Sequence, residues 1–197
     1  MGYTIVHITL FVVLLAADFL LVRFVIKNKT AKKVFFGCML LVALALCALP
    51  FENLFVKFDS PDDVFHYMKT GEIVAIDESG SSALIVYRVR EGKYSMMCTK
   101  KKDSKYSICL PGDDKQIAQA TDGKLVFSIY RVGGTDDYYL RVFGFSDEEI
   151  ALSDNLGTEF ALSYEGSQET KSVIGIKNVA YTREYKLYLS GKEIMFK

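Results

Sequence analysis

The chain has 197 residues, room for one ordinary domain and an anchor, and half of them are apolar, which excludes a disordered chain. Lysine plus arginine equals aspartate plus glutamate, 24 of each, so the basic surplus of a nucleic-acid binder is missing and no nucleic-acid partner is expected. The four cysteines fall into two separate pairs, Cys38 with Cys47 in apolar sequence and Cys98 with Cys109 beyond it, and no Cys-x-x-Cys spacing supports a zinc or thioredoxin-type site.

Residues 1–50 read as a transmembrane hairpin. Residues 4–26 form a stretch of 23 largely apolar residues. At about 1.5 Å per residue such a helix crosses a hydrocarbon core of about 30 Å. A second apolar stretch, residues 34–49, has 16 residues and stops at Pro50, with Phe51, Leu54 and Phe55 placed to extend it into the interface. The connection 27–33 carries four lysines, and Arg23 precedes it. The other flanks lack such a cluster: residues 1–3 have no charged side chain, and Glu52, Lys57 and Asp59 follow the second stretch. Positive charge marks the cytoplasmic side, so the loop 27–33 is expected inside, both termini outside, and membrane lipid around the pair. Lys32, Lys33 and Ala43-Leu44-Ala45 imitate a cleaved signal peptide, but the long apolar segment ahead of them does not fit one. Leu46 is too bulky for the position before Cys47 in a lipidation box.

Asp18 lies three residues from the middle of the first span. A charge there costs about 2.5–3.5 kcal/mol on insertion scales. It reads either as a protonated carboxyl bonded to the neighbouring helix or as an intramembrane contact with another membrane protein. His7 lies eleven residues earlier on nearly the same face, about 16 Å away along the axis.

Residues 51–71 form a linker and a short helix. Ser60 suits the N-cap, Pro61 the first helical position and Asp63 the capping acid. The helix should run to about Lys69 and end at Gly71, with Val64, Phe65 and Met68 on one face. The segment Phe58-Asp59-Ser60-Pro61-Asp62-Asp63-Val64-Phe65 resembles stretches that follow the membrane helices in uncharacterised two-helix membrane-anchored proteins of Gram-positive bacteria. The resemblance implies a bacterial membrane protein and carries no catalytic residue.

Residues 72–197 read as an extracytoplasmic β-rich domain. Runs of Val, Ile, Tyr and Phe between Gly, Asp and Ser turns predict strands near 72–77, 82–89, 93–99, 105–110, 116–120, 124–132, 137–144, 148–152, 158–164, 171–178, 181–189 and 192–196. They divide into three groups of four. Val86-Tyr87-Arg88-Val89 recurs as Ile129-Tyr130-Arg131-Val132, with Tyr87 and Tyr130 43 residues apart. That period is in the range of four-stranded propeller blades, but three groups fall short of a closed propeller. The expected fold is an all-β antiparallel meander with one short helix, curled into a partial propeller, an open barrel or a sandwich.

Candidate chemistry is sparse. His66 has Asp62 four residues before it, which suits a helical hydrogen bond, and no G-x-S-x-G nucleophile motif is present. Gly80-Ser81-Ser82 reads as a turn. Asp113-Asp114, Asp136-Asp137 and Asp147-Glu148-Glu149 read as hairpin ends without calcium-loop spacing. No catalytic residue, metal site or cofactor is assigned. Lys100-Lys101-Lys102 with Lys105 form a basic hairpin tip that keeps the hairpin soluble or touches anionic headgroups or cell-wall polymer. Nine tyrosines (Tyr87, Tyr94, Tyr106, Tyr130, Tyr138, Tyr139, Tyr181, Tyr185 and Tyr188) fall on predicted strands, where they fill a core or line a binding face. If Asp103-Ser104 is a two-residue turn, Lys102 faces Lys105 and Cys98 lies opposite Cys109, close enough for a disulfide outside the cytoplasm.

Together these features predict a membrane-anchored extracytoplasmic interaction or sensing module whose partner is another membrane or envelope protein. The alternatives are a small subunit of a membrane complex, for which Asp18 is the hint, and a cell-envelope hydrolase.

Overall fold

Residues 2–24, 27–166 and 171–197 are described in the computed structural model, with the backbone alone at 2, 47 and 48. Helix α1 (Gly2–Phe24) and helix α2 (Lys29–Ala48) pack against one another. Ile5, Ile8, Val12, Val13, Phe19 and Leu20 point outward from α1. Over Tyr3–Phe24 this helix is long and apolar enough, by length and composition, to cross a membrane. A second transmembrane helix is not shown. α2 begins at Lys29, five residues before the predicted start, because the Asn28 side chain caps it by accepting from the backbone N–H groups of Thr30 (2.8 Å) and Ala31 (3.3 Å). Lys29, Lys32 and Lys33 thus sit in the first turns of a helix and not in a loop. The predicted end of the first span, 25–26, lies outside the described residues.

After Pro50 a short 3-10 turn (Phe51–Leu54) leads to α3 (Pro61–Met68). The capping box forms as expected: Ser60 Oγ accepts from the Asp63 N–H, and the Asp63 carboxylate accepts from the Ser60 N–H, both at 3.1 Å.

Strands β1 (Glu72–Glu78), β2 (Ser82–Arg90), β3 (Lys93–Lys102) and β4 (Lys105–Ile108) form an antiparallel meander, sheet 1. Sheet 2 contains β5 (Asp114–Asp122), β6 (Leu125–Val132), β7 (Tyr138–Ser146), β9 (Ser163–Gly166) and β10 (Lys171–Val179) in the order β5-β6-β7-β10-β9. Sheet 3 holds β8 (Leu152–Asp154), β11 (Leu187–Leu189) and β12 (Lys192–Ile194), with β11 central. The expected three groups of four therefore become four, five and three. The simple meander breaks where β10 returns to pair with β7 along its whole length, Lys171 opposite Ser146 and Val179 opposite Tyr138, leaving β9 as the outer strand. The predicted strand 181–189 shrinks to its last three residues. Tyr181 and Tyr185 lie outside the ladder, their rings 5.7 Å apart and packed on Phe196. A β-favouring sequence is used there to plug a core.

The sheets stack face to face, and strand alternation explains how. On β2, Ala83, Ile85 and Tyr87 face α3, while Leu84 and Val86 face sheet 2. On sheet 2, Val132, Tyr139, Ile174 and Ile176 meet sheet 1, whereas Phe127, Ile129, Leu140, Val142 and Val173 meet sheet 3. Sheet 2 is apolar on both faces and is the middle layer. Of the nine tyrosines, Tyr87, Tyr106, Tyr130, Tyr139 and Tyr185 are buried and the other four are half-buried, so they do not form an exposed line.

Candidate functional site

A buried polar cluster lies where the helix pair meets the β domain. Pro50 ends α2, and the 3-10 turn that follows brings Glu52 back against α1. His7 Nε2 lies 2.7 Å from Glu52 Oε1, with His7 6% and Glu52 4% exposed. Tyr67, near the end of α3, donates its hydroxyl to the same oxygen at 3.3 Å. Aromatic rings close the site: Tyr3 is 4.1 Å and Phe51 4.9 Å from the imidazole, and Tyr67 stands edge-on to Tyr3 at 6.2 Å. Burying a carboxylate is costly unless it is paired and hydrogen-bonded, which is what His7 and Tyr67 supply. Burial, and then the charge of Glu52, push the Tyr67 phenol up, so it remains a donor. One carboxylate oxygen thus joins α1, the turn after α2, and α3.

Sequence reasoning placed His7 in the membrane and Glu52 on its flank without connecting them, since 45 residues separate them. The available signal was hairpin geometry. Each lies a few residues from the same end of a returning helix pair.

Asp18 is 1% exposed, and among the described residues neither of its carboxylate oxygens has a hydrogen-bond partner. It is buried within the helix pair.

Beside the junction lies a groove of about 280 Å³ lined by Tyr3, Met68, Tyr87, Met96, Cys98 and Cys109, among others. The β3–β4 register agrees with the count made from the sequence. Lys102 faces Lys105 and Thr99 faces Ile108, and Asp103 and Ser104 both have positive φ (51° and 61°), as a tight hairpin turn requires. Cys109 falls one step past the end of β4, beside Cys98, and both thiols are free. Its hydrogen bond to Cys98, followed by burial, pushes the Cys109 thiol up, away from the reactive thiolate form.

The basic tip is largely neutralised. Lys100 pairs with Asp113 at 2.7 Å, Lys101 with Glu78 at 3.6 Å, and Lys105 with Asp59. His66 and Asp62 make the expected i,i+4 contact at 3.5 Å, but both are exposed, so this is a solvated pair.

Polar links fasten sheet 1 to sheet 2, among them Asp77 with Lys177 and Asn178. In a second link, the hydroxyls of Ser79, Ser81 and Ser82 all donate to Asp137 Oδ2, at 2.5, 2.7 and 2.6 Å, and Ser82 Oγ lies 3.0 Å from the Tyr139 hydroxyl. Burial alone would raise the Asp137 carboxyl. The hydroxyls of Ser79, Ser82 and Ser81 outweigh it and hold the group below its usual range. Burial pushes Tyr139 up to about 12. The serines are donors to a carboxylate, so the Gly80-Ser81-Ser82 turn fastens the two sheets. Three serines within four residues were the visible signal; the carboxylate partner, 55 to 58 residues away, was not.

In a third link, Arg88 reaches Glu165 at 2.5 Å and Glu72 at 2.8 Å, and Tyr94 also donates to Glu165. Arg88, Tyr94 and Glu165 line an open cleft of about 770 Å³. The Tyr94 hydrogen bond, opposed by burial and aided by Arg88, holds Glu165 below its usual range. That is the opposite of what a general acid needs. Among the described residues no group of three His, Cys, Asp or Glu is placed to hold a metal ion. Comparison with known proteins finds no matching family model, curated protein or solved structure.

Proposed function

We propose that this protein is a membrane-anchored extracytoplasmic interaction or sensing module. Both helices cross the bilayer, both termini lie outside, and the β domain meets another membrane or envelope protein. The observation that carries the reading is the buried link from His7 on the apolar helix to Glu52 and Tyr67 on the domain, which makes anchor and domain one body. The lysines at 27, 29, 32 and 33 supply the inward sign of the turn. The test replaces the four native cysteines and places single cysteines at Asn28 or Glu91. A membrane-impermeant thiol reagent applied to intact cells should label Glu91→Cys and spare Asn28→Cys. The reverse pattern would overturn the topology and with it the extracytoplasmic role.

Asp18 favours a second reading, a small subunit of a membrane complex, because its buried carboxyl oxygens have no hydrogen-bond partner among the described residues. In that case Asp18→Leu should change which proteins copurify from solubilised membranes while leaving the β domain intact. An unchanged set removes the support. A cell-envelope hydrolase has less behind it, since Glu165, the cleft carboxylate engaged by Arg88 and Tyr94, is held charged.

A further inference from the structure

One apolar surface outside the helix pair is more exposed than any role within the fold explains. Leu54 is 78% and Phe55 81% exposed, at the end of the 3-10 turn. The same turn sends Phe51 inward to His7. Leu49 at the end of α2 is 49% exposed, Val56 38%, and Leu110, just past β4, 45%. A shallow depression of about 500 Å³, lined by Leu46, Leu49, Leu54, Ile108 and Leu110 among others, makes this surface continuous with the side of α2.

We propose that this surface is a lipid-docking face, with Leu54 and Phe55 immersed at the headgroup–acyl boundary of the outer leaflet and sheet 1 held against the membrane. The proposal rests on the membrane-anchored reading and adds to it the pose of the domain. Continuity with the helix pair argues for lipid. The apolar stretch of α2 has 16 residues, and a helix of that length spans only about 24 Å of a core about 30 Å thick. Side chains just past its end that enter the interface make up part of the shortfall. Charge argues for the kind of lipid. Lys100, Lys101 and Lys105 already pair with Asp113, Glu78 and Asp59, which leaves the exposed Lys57 as the one cation beside Phe55 and Val56 with no ion pair among the described residues, so docking draws mainly on apolar side chains.

The experiment uses the full chain, with its native cysteines replaced, in phosphatidylcholine vesicles. An environment-sensitive fluorophore is placed singly at Leu54→Cys, at Val13→Cys within the apolar helix, and at Glu91→Cys on an exposed turn. The Leu54 label should be blue-shifted, shielded from aqueous iodide, and quenched by lipids carrying a nitroxide at a shallow chain position. Adding phosphatidylglycerol or salt should leave this unchanged. If the Leu54 label is quenched by iodide as fully as the Glu91 label while the Val13 label stays in the bilayer, the docking face is wrong and the anchor stands. If the Val13 label is also open to iodide, the anchor itself is wrong. If the Leu54 label is hidden from both quenchers in proportion to protein density in the vesicle, the face covers a second copy of the chain and the lipid assignment falls. Because Leu54→Cys removes one of the two anchoring side chains, a second set places the label at Val56→Cys, where the same blue shift and shielding should appear.

Discussion

Replacing His7 with leucine would strip the main partner from a carboxylate that is 4% exposed. Removing one member of a buried ion pair costs about 3–5 kcal/mol, because the other is left buried and uncompensated. Here Tyr67 still donates to Glu52 Oε1 at 3.3 Å, and Glu52 Oε2 has no hydrogen-bond partner among the described residues to begin with. A hydrogen bond to a charged group retains about 1.5–3 kcal/mol, so the expected loss for His7→Leu is about 1.5–2 kcal/mol. Glu52→Leu should cost less, since the imidazole it leaves behind keeps its ring contacts with Tyr3 and Phe51. The double replacement should cost less than the two singles summed, leaving a coupling energy of about 1–2 kcal/mol. The assay is urea unfolding of the detergent-solubilised full chain followed by circular dichroism, with hydrogen exchange at the 3-10 turn and α3 as a second readout. The second readout separates undocking from unfolding, since the link joins the helix pair to the domain and is not within a sheet. A His7→Leu loss below about 0.5 kcal/mol with unchanged exchange, or additive single and double costs, would refute the buried-pair reasoning.

Other outcomes follow from the same structure. Asp137 has a lowered folded-state pKa, so the stability it contributes is fully present above the ordinary carboxylate pKa and is lost as pH falls through the lower folded value. The difference between the parent and Asp137→Asn should therefore be flat at neutral pH and shrink only in that acidic window, and a difference that grows on acidification would contradict the assignment. Gly144 has φ of 157°, and a β-carbon there would meet the Lys124 carbonyl oxygen at 2.1 Å. Gly144→Ala should destabilise the domain by about 1–3 kcal/mol or more in denaturant unfolding, and a neutral effect would mean that the β6–β7 pairing differs from the one described. If the domain is exported, Cys98 and Cys109 should be joined by thiol–disulfide exchange with an oxidised dithiol protein, which is thereby reduced; the isolated chain would be two hydrogens lighter, and alkylation of both thiols without prior reduction would exclude the bridge.

The β3–β4 hairpin was legible in the sequence down to its register, because a two-residue turn fixes every pair behind it and Lys102 must then face Lys105. α3 was legible because its capping box is local, encoded in Ser60, Pro61 and Asp63. The failures came where the deciding contact was distant. β10 has the same Val and Ile richness as its neighbours, and nothing local says that it returns to β7 and breaks the four-strand rhythm. The start of α2 was misplaced because hydropathy finds the apolar stretch and not the helix, whereas Asn28 caps one turn of lysines ahead of it. His7 with Glu52, and the serines with Asp137, are pairs of polar residues each unremarkable in its own segment. Burial makes them strong, and burial is a property of the packed chain.

The placement of these pairs has a physical logic. Apolar contact is non-directional, so a stack of sheets and helices held by burial alone can slide or rotate at little cost. A hydrogen bond has direction and a short range, and fixes the relative position of the layers it joins. The boundary between the helix pair and the domain carries His7, Glu52 and Tyr67. The boundary between sheets 1 and 2 carries the serines on Asp137, Arg88 on Glu165, and Asp77 with Lys177 and Asn178. The outer side carries Lys192 on Asp122 at 2.7 Å, and Gln119 and Lys197 exchange two backbone hydrogen bonds there. The links thus run in series from the apolar helix to the outermost sheet. Glu52 connects α1 to α3, α3 packs on sheet 1, and the serine link connects sheet 1 to sheet 2. Such a chain of couplings is mechanically suited to a module whose domain and anchor respond together, and cutting it at Asp137 should leave the His7 link intact while freeing sheet 2 from sheet 1. Hydrogen exchange provides the check, because Asp137→Asn should raise exchange at the β1–β2 and β6–β7 turns and leave α3 protected, whereas loss of protection throughout α3 would mean that the layers do not act as separate bodies joined by discrete links.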